Sequence, residues 1–297
     1  MSDNQAPQST NHIMVMEPVD FFANPETMET NAYQHKDELD RTEIHQKALL
    51  EFRAMRNLLV EHGVVITTTL GQAGCPDDIF PNWISTHHGG RMALYPMLTP
   101  NRQKERRQDI IDVLRNTYKD VQDLSAHEQD GKVLESTGAM CLDRVNKVAY
   151  QVRSLRSHDE LAAMWCEMND FEHVPFNTEY KGAPVYHADV VMWIGTELAG
   201  VCSECLLKDD ILEHLKQNRE VIEFTNAQME NFCGNSLEVI GTGGEKMLVM
   251  SAPGYNSLRD DQKEILARHY KTIIKPEIPT IEYYGGGSAR CMLLELF

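Results

Sequence analysis

Four short stretches of this 297-residue chain combine residue types that can carry out covalent chemistry. The first is Gly285-Gly286-Gly287-Ser288-Ala289-Arg290-Cys291. Three glycines permit positive φ and let the backbone approach a ligand closely. The cysteine that ends the run sits beside Arg290, and a neighbouring cation favours thiolate, the nucleophilic form. The same residues would also suit a buried structural cysteine at the start of a strand. The second stretch is Tyr186-His187-Ala188-Asp189. In a strand, positions two apart share a face, so His187 and Asp189 would face one substrate. An ordinary polar pair on a solvated strand has the same pattern. The third, Leu134-Glu135-Ser136-Thr137-Gly138, sets an acid at the start of an apolar strand. The fourth runs from Pro76 to Arg91 and crowds Asp77, Asp78, Asn82, His87, His88 and Arg91 into a loop with two prolines.

The elements that must position these residues alternate along the chain. A short apolar strand, Ile13–Met16, precedes an amphipathic helix over 38–62, in which Ile44, Ala48, Phe52, Met55 and Leu59 share one face. Val64–Leu70 reads as a strand, followed by loop and strand over 75–98 and a helix over 104–120. Strands are expected at 137–143 and 147–153, then a helix opening at Ser157, which has capping-box spacing with Glu160. Strands at 187–195 and 198–203 precede a helix at 208–217. Strands at 236–241 and 246–252 precede a helix opening at Ser257. Two strands, 279–284 and 291–297, close the chain around the glycine-rich turn. This gives five helices, each alternating with a group of short strands: an α/β fold with mixed sheets and weak internal repetition. No linker of Pro, Gly and Ser divides the chain. Residues 1–11 are polar and read as a disordered tail, and 12–297 as one catalytic domain.

Bulk properties narrow the function classes. The net charge of −17 argues against a nucleic-acid partner, which requires a basic face. It suits a cationic small molecule, whose local concentration an acidic field raises. No apolar run is long enough to span a bilayer, and the first residues lack a signal peptide's pattern. Seven scattered cysteines fit a reducing, cytoplasmic setting better than a disulfide framework. Cys202-x-x-Cys205 has zinc-like spacing, but no second Cys/His pair is placed to complete four ligands, so no metal is expected. Cys75, Cys141, Cys166 and Cys233 read as core residues.

Taken together and in order, Asp77-Asp78-Ile79-Phe80-Pro81-Asn82-Trp83, Leu134–Gly138, Val185–Asp189 and Gly285–Cys291 resemble the amidinotransferase/deiminase group of guanidino-modifying enzymes, the pentein superfamily. The resemblance is nearest to bacterial citrulline-utilisation hydrolase-like proteins. Arginine deiminase, dimethylarginine dimethylaminohydrolase and succinylarginine dihydrolase are more distant. It covers the chain from about Met14 to Phe297 and includes Asn24, Thr27, Asn31, Leu94–Met97 and Ile278–Glu282. It implies a pseudo-five-fold α/β propeller of ββαβ-type units with the site on the axis. It places Cys291 as nucleophile, His187 as acid/base, and Glu135 as the acid that holds the guanidinium and orients the site. Asp189 matches the arginine deiminase-like form of its motif. Relatives carry a carboxylate near Asn82 and Trp83 that grips the substrate's nitrogens. Here an amide and an aromatic stand in that place, so either Asp78 compensates or Asn82 binds a neutral group.

The reading that follows is a cysteine-dependent hydrolase of a guanidino or ureido C–N bond, on an arginine- or citrulline-like amino acid and without a cofactor. An amidinotransferase and a non-catalytic binding protein of the same fold are the alternatives. Arg156, Arg91 and Arg290 are candidates for a substrate carboxylate, and Asn235 for the pocket wall. A homodimer is expected only at family level.

Overall fold

The computed structural model describes residues 6–208 and 210–297. Among them, fifteen strands form five three-stranded sheets. Strands β1 (His12–Glu17) and β2 (Val65–Leu70) belong to the first. Strands β3 (Ile84–His87), β4 (Arg91–Leu94) and β5 (Asp120–Asp123) form the second. The third holds β6 (Met140–Asp143), β7 (Val148–Val152) and β8 (Glu172–Phe176). The fourth holds β9 (Met192–Ile194), β10 (Leu198–Cys202) and β11 (Glu220–Phe224). The fifth holds β12 (Leu237–Ile240), β13 (Lys246–Val249) and β14 (Ile273–Ile274). The last strand, β15 (Leu294–Glu295), returns to the first sheet.

Every sheet is built alike. Its first two strands run antiparallel, as in Ile84↔Leu94 of β3 and β4. Its third strand joins in parallel after a helix, as in Val148↔Glu172 of β7 and β8. A parallel return needs a crossover, and one helix supplies it in each unit. These are Arg41–Glu61, Gln108–Leu114, Asp159–Asn169, Asp210–Lys216 and Asp260–His269. In the first unit the ends of the chain meet: β15 pairs antiparallel with β1 through Ile13↔Glu295 and Met14↔Leu294. The architecture is therefore a five-unit ββαβ propeller. Strands β15, β3, β6, β9 and β12 form its inner wall. The middle three show no hydrophobic alternation because they are buried on both faces.

The amphipathic helix Arg41–Glu61 buries Ile44, Ala48, Phe52, Met55 and Leu59, the face its spacing predicts. Other elements differ from expectation, for physical reasons. The helix expected over 104–120 is two pieces, Pro100–Gln103 and Gln108–Leu114, broken where Glu105 turns inward to pair with Arg102 of the first piece. The helix after β7 starts at Asp159 rather than Ser157. Ser157 Oγ accepts from Gln151, and Glu160 pairs with Lys132, so the expected capping box does not form. Instead of one helix opening at Ser257 there are two, Ala252–Ser257 and Asp260–His269. The strand expected at 279–284 is the helix Pro279–Gly285: Pro279 occupies its first turn, and Ile278, Ile281 and Tyr284, three apart, are all buried. Of the strand expected over 291–297, Leu294–Glu295 is extended, and Arg290–Met292 form a helical turn.

The tail expected over 1–11 is corrected in part. Residues 1–5 lie outside the described residues, but Gln8 and Ser9 are buried. The Gln8 amide donates to Leu142 O and Ile194 O, and Ser9 Oγ donates to Glu238. These contacts close one end of the inner wall. No helix among the described residues is long and apolar enough to cross a membrane.

Helix Pro279–Gly285 also buries Glu282, which accepts from Ser288 Oγ at 2.5 Å. Burial, with Glu51 and Glu277 nearby, pushes its carboxyl up from 4.5 to about 7. A raised acid means that the fold disfavours the charged form. Stability is therefore lost as pH climbs from the unfolded to the folded value, by up to roughly 3 kcal/mol for a rise of this size. Glu282→Gln cannot ionise, so the unfolding free energy of the variant relative to the parent should improve by about that amount between pH 4 and pH 8. A gap independent of pH would contradict this.

Candidate active site

The inner strands decide where the polar residues go. Asn82 lies just before β3, Glu135 before β6, His187 before β9, Asn235 before β12 and Cys291 before β15. Each unit thus delivers one side chain to the same end of the axis. All five are at least 96% buried.

The expected strand geometry of His187 and Asp189 is not what brings them together. His187 caps a short helical turn, Ala188–Val191, and Asp189 lies within it. The turn still aims both side chains at the same space, with His187 Nδ1 3.9 Å from Asp189 Oδ1. Cys291 Sγ lies 3.3 Å from Asp189 Oδ2, so the carboxylate stands between imidazole and sulfur. Asn235 does not face a substrate as expected. Its Oδ1 accepts from Cys291 N at 3.2 Å and its Nδ2 donates to Cys291 Sγ at 3.0 Å, fixing the cysteine at both ends. Tyr186 Oη donates to Gly286 O at 2.5 Å and ties the histidine's segment to the glycine turn. Gly286, at φ +62°, adopts the left-handed conformation expected of that turn.

Behind the imidazole sits Glu135. Its Oε2 lies 2.8 Å from His187 Nε2, 3.5 Å from Arg102 and 3.6 Å from Arg156. Its Oε1 accepts from Leu98 N. Burial alone would push this carboxyl up, but the two guanidinium groups and the imidazole outweigh burial and hold it well below the usual range. Glu135 is therefore an ionised anchor. It accepts a hydrogen bond from Nε2 and leaves Nδ1 facing Asp189.

Cys291 moves the other way. Burial, then the Asp189 carboxylate, pushes its thiol far above the ordinary value, despite Arg290 and the Asn235 amide. Arg290 does favour thiolate, as expected, but burial and Asp189 outweigh it. Arg290 Nε lies 3.6 Å from Asp189 Oδ2, the oxygen that also faces the thiol, and Arg290 lines a cavity of about 30 Å³ with Gln8 and Glu295.

Arg102 carries the strongest signal that the sequence did not reveal. Fully buried, it forms a bidentate pair with Glu105 and donates to Phe80 O and to Asn82 Oδ1. An arginine three residues before a glutamate is common on surfaces, so only burial distinguishes it. A guanidinium has no acceptor, so the oxygen of the Asn82 amide must face Arg102 and its NH₂ must face the site. A Cβ at Gly138 would lie 2.7 Å from His187 Nδ1 and 2.8 Å from Asn82 Nδ2, which places both groups over this glycine.

Three other candidates fall elsewhere. Arg91 leaves the site altogether: it starts β4, is half-buried, and pairs with Asp120 at 3.3 Å. Asp78 accepts from Gln72 N and does not reach the cluster, and burial pushes its carboxyl up to about 6. Trp83 points into the apolar core with Met14 and Met16. Asp77, which the sequence did not separate from Asp78, binds Asn24 and Thr27 through Oδ2 and leaves Oδ1 buried without a partner. Arg156 stays near the cluster, held by Thr27 O and Thr30, with its guanidinium 4.9 Å from the Tyr186 ring centroid. It borders a cavity of about 210 Å³ lined also by Met28, Thr30, Tyr33, Tyr180 and Tyr186.

A family model described as N,N-dimethylarginine dimethylhydrolase, eukaryotic, matches residues 17–297. Several solved structures share the fold. The N-terminal domain of ArgZ, covalently bound to a reaction intermediate, is 16% identical, with a TM-score of 0.77 over 96% of this chain and 97% of that one. Full-length ArgZ, an arginine dihydrolase from the ornithine–ammonia cycle in cyanobacteria, is 17% identical, with a TM-score of 0.74. That match covers 95% of this chain but 40% of ArgZ, so the likeness is to one domain of a longer protein. DDAH from Pseudomonas aeruginosa, complexed with citrulline, is 16% identical, with a TM-score of 0.67 over 96% of this chain and 98% of that one. No curated protein sequence matches this chain.

Two measurements test this geometry. Alkylation of Cys291 by iodoacetamide should accelerate about tenfold per pH unit from pH 7 to 10 without a plateau, because the thiol stays protonated throughout. Asp189→Asn, which removes the charge that raises the thiol, should alkylate faster at every pH. A plateau near neutral pH would refute the assignment. Gly138→Ala should lower kcat by roughly 10²-fold in a folded protein, since its methyl displaces His187 and Asn82.

Proposed function

The chain belongs to the N,N-dimethylarginine dimethylhydrolase family of the guanidino-modifying superfamily, and from that premise we propose a cysteine-dependent hydrolase of the C–N bond in a ureido or guanidino group. One observation carries the reading. Cys291, Asp189 and His187 lie in one buried row, the sulfur against one Asp189 oxygen and the imidazole 3.9 Å from the other, and the row ends on an ionised Glu135.

The row supplies the chemistry. As Cys291 Sγ attacks the central carbon, its proton passes to the Asp189 carboxylate and on to His187 Nδ1. The result is a tetrahedral intermediate on sulfur. Imidazolium, steadied by Glu135, returns the proton to the departing nitrogen, a step that typically contributes about 10²–10⁴-fold. Neutral His187 then takes a proton from water as it attacks the sulfur-bound carbon. The second product leaves and the thiol is restored. Asp189 Oδ1, buried without a hydrogen bond, offers an acceptor to an N–H of the substrate. Arg156 offers a guanidinium fork to the carboxylate of an amino acid.

The orientation of Asn82 separates the two substrate classes. Its NH₂ faces the reacting centre, where it can donate to a ureido oxygen and strengthen that bond as the oxygen becomes negative. A guanidinium offers this position only further N–H donors. The reading therefore favours a neutral ureido amino acid such as citrulline over arginine, methylarginine or agmatine. The seven cysteines, all free and buried, support a reducing, cytoplasmic setting.

Release of ammonia from citrulline, arginine and agmatine, and of ammonia or methylamine from methylarginine, is the direct test. We expect the highest kcat/KM with citrulline and none with Cys291→Ser. Asn82→Asp should shift the citrulline-to-arginine ratio at least tenfold towards arginine, or about 1.4 kcal/mol. Formation of guanidinoacetate from arginine and glycine would instead support the transferase. Full biological activity of Cys291→Ser would support the binding protein.

A further inference from the structure

The motif Cys202-x-x-Cys205 has no part in this chemistry, yet its two thiols are set against each other. Cys202 ends β10, and Cys205 ends the single helical turn Ser203–Cys205. In a 3₁₀ turn, side chains three apart eclipse. Cys205 Sγ lies 3.3 Å from Cys202 O. Positions this close on one turn fall within the Cα separations that a disulfide spans. Cys202 Sγ also donates to Asn226 Oδ1 at 3.5 Å, a contact that closure of the pair would give up. Although both sulfurs are buried, Glu204 between them is exposed, so opening one turn uncovers the pair.

The turn is also wired to the candidate site. Cys205 O accepts from Glu179 N at 2.8 Å, Leu207 N donates to Asn177 O at 3.2 Å, and Leu206 bridges to Thr178. Thr178 Oγ1 in turn accepts from Val185 N, two residues before His187. Tyr180, on the same segment, stacks on Tyr33 with ring centroids 5.7 Å apart.

We propose that Cys202 and Cys205 are a redox modification site, closed to a disulfide by a peroxide and read out at the catalytic cluster through residues 177–187. The neighbouring Cys205 thiol lowers the pKa of Cys202, which makes Cys202 the attacking sulfur. Its thiolate attacks one peroxide oxygen, giving a sulfenic acid and releasing water from hydrogen peroxide. Cys205 then attacks the sulfenic sulfur, its proton leaves with the hydroxyl as a second water, and the S–S bond forms. Two electrons pass from the two thiols to the peroxide. A dithiol reverses the change by exchange. Drawing the two sulfurs together shifts the Cys205 carbonyl, and with it the strand-like segment that presents Tyr180, Tyr186 and His187.

The effect on turnover rests on the hydrolase reading; the disulfide does not. Trypsin releases Gly182–Lys208, which contains these two cysteines and no others, while Cys291 falls in a different peptide. After graded hydrogen peroxide treatment of the whole protein, this peptide should lose the mass of two hydrogens and resist iodoacetamide, at doses where Cys291 still alkylates at high pH. Ammonia release should fall roughly tenfold, the size of effect expected when a positioned group moves, and recover with dithiothreitol. Cys205→Ser should abolish both changes and retain activity. Amide hydrogen exchange over 177–187 reads the coupling even without turnover. If both thiols still alkylate after Cys291 has oxidised, the site is refuted. If the disulfide forms but neither exchange nor turnover changes, the coupling is refuted.

Discussion

The pairing of β15 with β1 is the constraint on which the rest depends. It joins Met14 to Leu294 and Ile13 to Glu295, positions some 280 residues apart, across a two-residue strand. Without it the inner wall lacks one of its five strands, and the cysteine three residues upstream has no fixed position. Pairing over so long a separation requires a large loop to be closed before any contact compensates. The closure holds because β15 does not stand alone. Thr10 Oγ1 donates to Leu296 O, Thr86 Oγ1 to Glu295 O, and Arg144 pairs with Glu295. The neighbouring sheet and the segment ahead of β1 both grip the clasp.

The interior of the ring then carries an unusual density of charge for a buried space. Arg102, Arg156, Glu105, Glu135 and Asp189 are all nearly inaccessible. Ions buried in this way cost several kcal/mol each unless their partners are well placed. The placement is uneven, and the unevenness is informative. Glu135 is surrounded by cations and donors and is held ionised. Asp189 keeps one oxygen without a partner and raises the thiol beside it. One carboxylate is thus fixed for structure and orientation, and the other is left with capacity for a ligand.

Much of this was legible in the sequence, but unevenly. The helix face of Ile44 to Leu59 and the alternation of one helix with a group of short strands follow from apolar spacing, whereas the parallel third strands Asp120–Asp123, Glu172–Phe176 and Glu220–Phe224 were not foreseen. The four polar motifs named Cys291, His187, Glu135 and Asp189 because each lies beside a strand start. Arg102 was not legible, since nothing local distinguishes a buried arginine from a surface one. Residues 279–284 read as strand because their β-branched and aromatic residues favour extension, yet burial of Ile278, Ile281 and Tyr284, three apart, goes with a helix. His187 and Asp189 were paired for the wrong reason. A strand would place them on one face, but a short helical turn does so instead. Arg91 looked like a site residue because its loop is polar, and the antiparallel turn to β4 carries it to the rim.

One residue per sheet has a consequence for how the protein comes into being. A chain made from its first residue forward can complete four sheets, and set acid, imidazole and both amides at the axis, while the sulfur is still missing. On the hydrolase proposed above, the nucleophile arrives with the strand that locks the ring, so reactivity and structural completeness are gained in the same event. A partly assembled molecule holds an empty cradle and cannot harm a bystander. For such a protein, catalytic competence is a direct readout of whether the last seam has been sewn.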